Sequence, residues 1–247
     1  MAKLLTLAPG GNYLLNLLSQ SDRELLRPDL DALSLDVDDV LEQPNKPIKH
    51  VYFIEAGIAS VVTTVGGDRD IEVGIIGREG MSGCAVILGD GRSPHVTFMQ
   101  VGGQAQRLAV AKFHAAMNSS ATFRALAMRS ALLFSIQTAH TAVANARASV
   151  EQRLARWLLM AHDRLDGDEL PLTHEFLSMM LAVRRAGVTV ALHAFERQNL
   201  IRTQRRHITI IDREGIEEFA EDFYGVPEAE FQRLMTPRSQ EPGLRVV

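Results

Sequence analysis

A long alanine-rich stretch without glycine constrains this chain more than any other feature. Glycine is missing after Lys112 and returns only at Gly167. Alanine loses almost no side-chain entropy in a helix, so the first part of the stretch predicts one long helix over about residues 113–148. A second helix, from Val150 to Leu165, is predicted by one apolar stripe, which consists of Leu154, Trp157, Leu158 and Ala161.

The long helix carries a heptad pattern that can be explained in two ways. One register contains Leu126, Leu133, His140 and Arg147, and it is flanked by Leu132, Ile136 and Ala144. This seam is apolar at its start and mixed at its end. It could pack against its own domain, or it could form a dimer seam, since small alanines allow two helices to approach closely. Both explanations stay open at this point.

The chain before the long helix has a sequence pattern typical of an all-β fold. From Leu35 to about Ala111, short segments rich in valine and isoleucine alternate with glycines. The clearest predicted strands are Val51–Ile54, Ala59–Val65, Ile71–Ile76 and His95–Val101. Several short strands with regular turn signals indicate a barrel, a sandwich or a jelly roll.

Two short helices joined by a tight turn are predicted after residue 172. Thr173 is a good N-cap for the first helix, Ala182 and Val183 form the turn, and the second helix covers about residues 185–198. The second helix stops at Asn199, which can end a helix as glycine does. Its predicted buried positions are Val188, Ala191, Leu192 and Phe195. This arrangement is a helix-turn-helix unit.

Positive charge is concentrated in this part of a chain whose net charge is −4. Seven arginines and only two acids occur from Arg184 to Arg213. Cations at the start of a helix oppose its dipole, so an external anion is expected beside Arg184 and Arg185. Arginine can also hold guanine through two parallel hydrogen bonds, which makes Arg185 the first candidate for reading a base. The other candidates in this unit are Thr173, Gly187, Val188 and Thr189.

A small hairpin is predicted directly after the second helix. Its strands are Leu200–Thr203 and His207–Ile211, around a turn at Gln204–Arg206. Arg205 and Arg206 at the tip are candidates for phosphate contacts, which add salt-dependent affinity without reading sequence. An exposed strand edge explains Arg202 and His207 at least as well. The unit as a whole is therefore a predicted winged helix-turn-helix.

These residues also carry a family resemblance. The stretch Leu172–Ile201 (LTHEFLSMMLAVRRAGVTVALHAFERQNLI) resembles the helix-turn-helix of the Crp/Fnr superfamily. Val51–Gly57 resembles the β-roll signature of that family, and the alanine-rich helix lies where its dimerisation helix lies, so about residues 12 to 222 are covered. The resemblance implies a bacterial homodimer that binds a two-fold-related site in double-stranded DNA and contacts RNA polymerase.

The recognition helix departs from the family pattern at two positions. The family's arginine is matched at Arg185, but the acidic position after it is Ala186 and the second arginine position is Val190. The turn of the wing also lacks the glycine that is common in relatives. The sequence preference is therefore expected to differ from that of well-known family members.

The family's cyclic-nucleotide motif is only half present. Members that bind these nucleotides use a Gly-Glu pair for the ribose hydroxyl and an Arg-Ser pair for the phosphate. Here the first pair reads Gly83-Cys84, and an uncharged thiol is a poor acceptor, while Arg92-Ser93 stands where the second pair would lie. These four residues form the candidate effector pocket. The expectation is a regulator without a bound cofactor, and the alternative is a cyclic-nucleotide-gated one.

Other classes of protein are weighed against this interpretation. A metal-dependent β-roll enzyme or small-molecule-binding module is the alternative from a different class. An enzyme of this kind would need clustered histidines in the β-rich half, and neither this cluster nor a nucleophile elbow, P-loop or dinucleotide motif is present. The lone Cys84 lies in an apolar stretch and is read as a buried small hydrophobic residue. Sensing through a protein partner, or no sensing at all, stays open.

The sequence thus predicts an α+β protein with two domains. Residues 1–148 would form a β-roll (jelly-roll) domain with the long dimerisation helix, and residues 149–247 a winged helix-turn-helix domain with a loose tail after Thr236. No apolar run is long enough for a membrane span, and the N-terminus is unlike a secretory signal. A cytoplasmic homodimer without a metal or catalytic site is expected.

Overall fold

A computed structural model of the protein describes residues 11–66 and 69–236. The fold is α+β, as predicted, and a β-rich half, a long helix and a mainly helical half follow one another along the chain. No helix within these two ranges is both long and apolar enough to cross a membrane. The predicted loose tail, from residue 237 onward, lies outside the described residues.

The β-rich half begins with two short helices, α1 (Tyr13–Asn16) and α2 (Gln20–Leu26). Five strands follow, namely β1 (Asp31–Leu35), β2 (Val40–Glu42), β3 (His50–Val65), β4 (Arg69–Ile76) and β5 (Val96–Ala109). A single-turn helix, α3 (Cys84–Ile87), lies between β4 and β5. The strands pair antiparallel in the order β1-β5-β3-β4, and β2 also pairs with β5.

Two strands are much longer than predicted because glycines that read as turns lie inside them. The segments predicted as Val51–Ile54 and Ala59–Val65 are one strand, β3, with an irregular register around Gly57. Gly57 has φ +88°, and a Cβ there would overlap the Val101 carbonyl oxygen of β5. A Cβ on Gly103 would likewise overlap the Ala56 carbonyl oxygen. These glycines mark bulges where two backbones approach closely, and not chain reversals.

The predicted single helix over 113–148 is wrong in one respect, because it is broken in two. α4 covers Val110–Ser119 and α5 covers Ala121–Arg147. Between them Ser120 is extended, and its hydroxyl accepts a hydrogen bond from the Phe123 backbone N–H. Serine favours this N-cap position because its side chain satisfies a backbone donor that has no partner within the helix.

The predicted seam of α5 does not lie on one exposed face. Leu126 is buried in the core of the β-rich half, and Leu133 is half-buried beside it, whereas Arg147 is exposed. His140 is half-buried, and burial followed by the charge of Arg156 lowers its pKa. The exposed apolar side chains of α5 are Met128, Leu132 and Val143. The β-rich half therefore covers the start of the predicted seam, and the exposed apolar side chains lie on a different face of α5. Dimerisation through α5 stays a prediction.

The second half begins with α6 (Val150–Arg164), whose bounds agree with the prediction within one residue. The helix-turn-helix consists of α7 (His174–Met180) and α8 (Arg185–Arg197). Three short strands, β6 (Glu169–Leu170), β7 (Ile201–Gln204) and β8 (His207–Ile210), form a sheet in the order β6-β8-β7. Two further helices, α9 (Arg213–Ala220) and α10 (Val226–Met235), follow the wing.

Buried polar contacts join α6 to the β-rich half. Trp157 Nε1 donates a hydrogen bond of 2.7 Å to Glu72 Oε1 on β4. Arg164 Nε lies 2.7 Å from Glu79 Oε1 in an ion pair that is almost fully buried. Because the contacts between residues 11–148 and 149–236 are extensive, α6 is held in place by the β-rich half. The division into domains at residue 148 stays a prediction.

The last helix also returns to the beginning of the chain. α10 lies against α5, and its Phe231 and Met235 are buried in the core of the β-rich half. The rings of Phe231 and Tyr13 are 5.3 Å apart. One hydrophobic core therefore contains residues from both ends of the described chain.

Candidate nucleic-acid interface

The helix-turn-helix forms as its sequence predicts. Thr173 is the N-cap of α7, where its hydroxyl accepts a hydrogen bond from the Phe176 N–H. The tight turn uses Ala182, which has φ +50°, a conformation that most residues avoid. At the end of α8, Asn199 has φ +58°, and the Leu200 N–H bonds to the Phe195 carbonyl. The predicted asparagine stop is thereby confirmed.

One face of α8 is fixed in a continuous core. Val188, Ala191, Leu192 and Phe195 are buried together with α6 and the wing. This burial corrects one predicted contact residue: Val188 has no exposed surface, so its side chain packs inside and cannot touch a partner. Gly187 is half-buried beside Val183, and a Cβ there would make only an ordinary contact of 3.7 Å.

The opposite face of α8 is exposed to solvent. It includes residues that were not predicted as contacts. It consists of Arg185, Ala186, Thr189, Val190, His193 and Arg197. Val190 is 63% exposed, which is unusual for a large apolar side chain on an amphipathic helix. Val190 and His193 were missed, although the helical period that places Val188 inside would have placed both outside. The Thr189 hydroxyl donates to the Arg185 carbonyl, one turn earlier.

The start of α8 concentrates exposed positive charge. Arg184 is the N-cap residue, and its side chain makes no capping hydrogen bond. Arg185 lies 2.9 Å from Glu175 of α7, and both side chains are mostly exposed. An exposed ion pair of this kind contributes little and exchanges readily. The guanidinium of Arg185 can therefore leave Glu175 for a stronger external partner, such as a base edge or a phosphate.

The wing is a two-strand hairpin whose tip is basic. β7 and β8 pair from Ile201↔Ile210 to Gln204↔His207, which leaves Arg205 and Arg206 as the turn. Both side chains are exposed, and Arg206 has φ +65°. Glycine would adopt this conformation more easily, so an arginine at this position costs conformational free energy of the backbone. The predicted hairpin is confirmed with bounds shifted by one residue, and β6 forms a third strand that was not predicted.

One of the seven arginines between Arg184 and Arg213 is not part of the exposed basic surface. Arg213 starts α9, and only 10% of its side chain is exposed. It donates to Asp163 at 2.9 Å, to Glu217 at 2.8 Å and to the Tyr224 hydroxyl at 2.7 Å. Arg213 therefore fastens α9 to α6 and adds nothing to the exposed basic face.

The four residues of the candidate effector pocket have different surroundings, and Gly83 and Cys84 lie near the carboxyl of Glu42. Gly83 has φ +86° at the start of α3. Its N–H donates a hydrogen bond of 2.6 Å to Glu42 Oε1 on β2. Burial raises the pKa of Glu42, although hydrogen bonds from Gly83, Ser82 and Thr97 oppose this. Arg92 is exposed on a loop, and Ser93 is buried with its hydroxyl accepting from the His95 N–H.

Cys84 lies half-buried against the core of the β-rich half. Burial, followed by the charge of Glu42, raises the pKa of its thiol, which disfavours the reactive thiolate. Among residues 11–66 and 69–236, no three histidine, cysteine or acidic side chains are grouped so that they could hold a metal ion.

Comparison with known protein families gives a match for part of the second half of the chain. Residues 152–219 match the Crp-like helix-turn-helix domain family. This match confirms the resemblance stated from Leu172–Ile201, and it includes most of α6, the whole helix-turn-helix and the wing. No curated protein matches the chain.

Several solved structures share the overall fold. The structure of FixK2 from Bradyrhizobium japonicum has a TM-score of 0.67 at 13% identity, over 78% of this chain and 98% of that one. A Crp/Fnr-family regulator from Eubacterium rectale has a TM-score of 0.66 at 17% identity, over 84% of this chain and 97% of that one. A CRP-family regulator from Thermus thermophilus has a TM-score of 0.63 at 18% identity, over 76% of this chain and 96% of that one. The predicted architecture of β-roll, long helix and winged helix-turn-helix is confirmed.

Proposed function

We propose that this chain, a transcription regulator with a Crp-like helix-turn-helix domain in the fold of Crp/Fnr regulators, reads double-stranded DNA by placing α8 in the major groove. The observation that carries this proposal is the exposed start of α8, where Arg184 and Arg185 have no buried partner. Arg185 would hold a guanine edge, and Thr189 and Val190 would face the neighbouring base pairs. Val190 offers an apolar contact that suits a thymine methyl group.

The wing would act on the backbone of the DNA. Arg205 and Arg206 carry charge at an exposed tip, where they can neutralise phosphates on either strand. Arg184, beside the first turn of α8, would serve the same purpose. This division of labour gives sequence reading to α8 and salt-dependent affinity to the arginines around it.

We also propose that the protein acts as a homodimer through α5. Met128, Leu132 and Val143 are each about half exposed, and with Ala139 they recur at intervals of four and seven residues. A helix that is apolar on both faces is normally covered on both, and the β-rich half covers only one. Pairing of two α5 helices would bury this stripe in coiled-coil fashion. Two α8 helices would then reach successive major grooves, about 34 Å apart, and read a pseudo-palindrome.

The remaining partners follow from this role. A bacterial regulator of this kind works in the cytoplasm, where the DNA is, and acts on RNA polymerase through protein contact. We propose a binding function without a catalytic step. Cyclic nucleotide does not fit the β-rich half well, since the Gly83 N–H is already bound to the buried carboxylate of Glu42. The Glu42 carboxyl thus occupies the N–H of the pair that would meet the ribose hydroxyl, and so we propose an effector of another kind.

The decisive experiment is selection of bound sequences from random duplex DNA with the purified protein. We expect enrichment of a two-fold-related site, with binding that weakens steeply as salt rises. Leu132→Glu should give a monomer in sedimentation and lose the two-fold site, because it places charge in the seam. Val40→Glu is the matched control, since Val40 is an equally exposed apolar residue on β2, outside α5. A dimeric Leu132→Glu protein, or no enriched sequence, would contradict the proposal.

A further inference from the structure

A cleft lies between the β-rich half and the helix-turn-helix, and no residue of α8 or of the seam proposed on α5 lines it. Its volume is about 740 Å³, within the usual range for small-molecule sites. β5 lines it with Phe98 and Gln100, and α7 lines it with Phe176 and Met179. The wing contributes Arg206, the residue of its tip that is also proposed to contact phosphate. The cleft therefore joins the two halves of the protein.

Gln100 is the feature that points to a ligand. The side chain lies on β5 and is only 1% exposed. Its Oε1 and Nε2 atoms make no hydrogen bond with any residue in the described part of the chain. Buried amides nearly always have partners, because desolvation without a hydrogen bond is unfavourable. Because Gln100 lines the cleft, a small rotation of its side chain would bring these two atoms to a group there that supplies one donor and one acceptor, which would remove this cost.

The other walls define the shape and charge of that group. Phe98, Phe176 and Met179 offer flat or adaptable apolar surfaces, which favour a planar molecule. The charged side chains of the cleft have both signs, Asp38 and Glu175 against Arg206, so a net charge on the ligand is not required. An amide side chain pairs best with a group whose N–H and C=O lie side by side.

We propose that this cleft is an effector site for a small, neutral, planar molecule with a lactam-like edge, and that Gln100 anchors that edge. Thr173, the N-cap of α7, lines the same cleft. A ligand held between β5 and α7 fixes the helix-turn-helix against the β-rich half and so links binding to the orientation of α8. This regulatory consequence rests on the proposed DNA-binding function, whereas the binding itself does not.

The test uses 2-pyridone, whose N–H and C=O lie side by side, and N-methyl-2-pyridone, which lacks the donor. Binding is followed through the methyl NMR signal of Met179, assigned by its loss in Met179→Leu. We expect 2-pyridone to shift this signal in a saturable way at millimolar concentrations. N-methyl-2-pyridone should bind about tenfold more weakly, because the Gln100 carbonyl then stays without a donor. This pair of probes tests the unmodified protein.

Two variants locate the anchor. Gln100→Leu should weaken 2-pyridone binding about tenfold and should fold normally, since an apolar side chain replaces an amide without partners. Gln104→Leu, at an exposed position of the same strand, should bind like the unmodified protein. The proposal is overturned if 2-pyridone leaves the Met179 signal unchanged, if both probes bind equally, or if Gln100→Leu binds as well as Gln104→Leu. None of these results depends on DNA, so the proposed function can stand or fall separately.

Discussion

Arginines occur in two different settings in the second half of this protein. Arg164 and Arg213 lie inside, almost without exposed surface, and each has a buried acidic partner, Glu79 and Asp163 respectively. Arg184 and Arg185 lie at the exposed start of α8, and the ion pair of Arg185 with Glu175 is open to solvent. The inner arginines hold α6 to the β-rich half and to α9, whereas the outer ones are available to an external anion.

The difference follows from the cost of moving a charge out of water. A buried guanidinium is tolerated only when an acid and further acceptors surround it, and removing either partner leaves an uncompensated charge. An exposed guanidinium keeps its hydration, so its ion pairs are worth little. The same residue type is therefore essential to the fold in one place and dispensable for it in the other. Four substitutions test this contrast.

The largest effect is expected for Arg164→Leu. This change leaves the carboxylate of Glu79 buried without its partner, so the free energy of unfolding should fall by about 3–5 kcal/mol. Urea unfolding monitored by circular dichroism measures the loss. The double variant Glu79→Leu/Arg164→Leu should recover much of it, because no lone charge remains. Equal losses in Arg164→Leu and Arg185→Leu would remove the distinction between inner and outer arginines.

The next largest effect is a pH dependence of stability. It arises from the buried carboxyl of Glu72, whose pKa stays raised although Arg156 and Arg164 lie nearby. Burial raises the pKa of Glu72 to about 7, although hydrogen bonds from Ser60 and Trp157 and the charges of Arg156 and Arg164 oppose this. The folded protein holds this proton above the ordinary carboxyl pKa of 4.5, so stability is highest below that value. It should decline as pH rises through 7, by up to about 3 kcal/mol.

Glu72→Gln should flatten this decline, because its amide does not ionise and its oxygen can still accept from Trp157. Thermal unfolding between pH 5 and pH 8 measures the slope, and the fluorescence of Trp157, the only tryptophan, reports on the same contact. Glu218→Gln, at an exposed position, serves as the control and should keep the slope. An unchanged slope in Glu72→Gln would assign the pH dependence to other groups.

Among the outer arginines, Arg185→Ala should have the larger effect. Loss of two hydrogen bonds to one guanine costs about 1–3 kcal/mol of binding free energy at one base position. Competition assays with single-base variants of the selected site measure this loss. The free energy of unfolding should stay nearly unchanged, since the pair with Glu175 is exposed. A uniform loss across all base positions would mean that Arg185 touches the backbone.

The smallest effect is expected for Arg206→Ala. A phosphate contact carries no sequence information, so affinity should fall by the same factor for every site. The log-log dependence of affinity on salt should become shallower by about 0.9, the contribution of one phosphate. Titrations at several salt concentrations measure this slope. A change in base preference instead would place the wing tip in a groove.

Local features of the DNA-binding half could be predicted from sequence because local chemistry determines them. Thr173 caps a helix, Asn199 ends one, and the buried period of α8 is visible without any partner. The same period would also have identified Val190 and His193 as exposed. The inclusion of Val188 among the contacts was an error that the predicted periodicity itself could have prevented.

Features that depend on distant partners could not be predicted. Arg213 looks like its neighbours in sequence, and only the position of Asp163 on α6 makes it an inner arginine. The glycines at Gly57 and Gly103 read as turns, because the close approach of β3 and β5 has no signal within either segment. The predicted seam of α5 includes the buried Leu126 because both sides of the helix are apolar, and the sequence does not show which side the β-rich half covers.

The return of α10 to the first core has a consequence for the order in which the protein is made. Synthesis releases the β-rich half first, while Phe231 and Met235 are still to be added. Until they emerge, the part of the core that they cover near Tyr13 faces water. Exposed apolar surface of this kind is prone to aggregation during folding. A nascent chain thus completes its earliest core with its latest helix, and any message truncated before α10 encodes a protein with an open core.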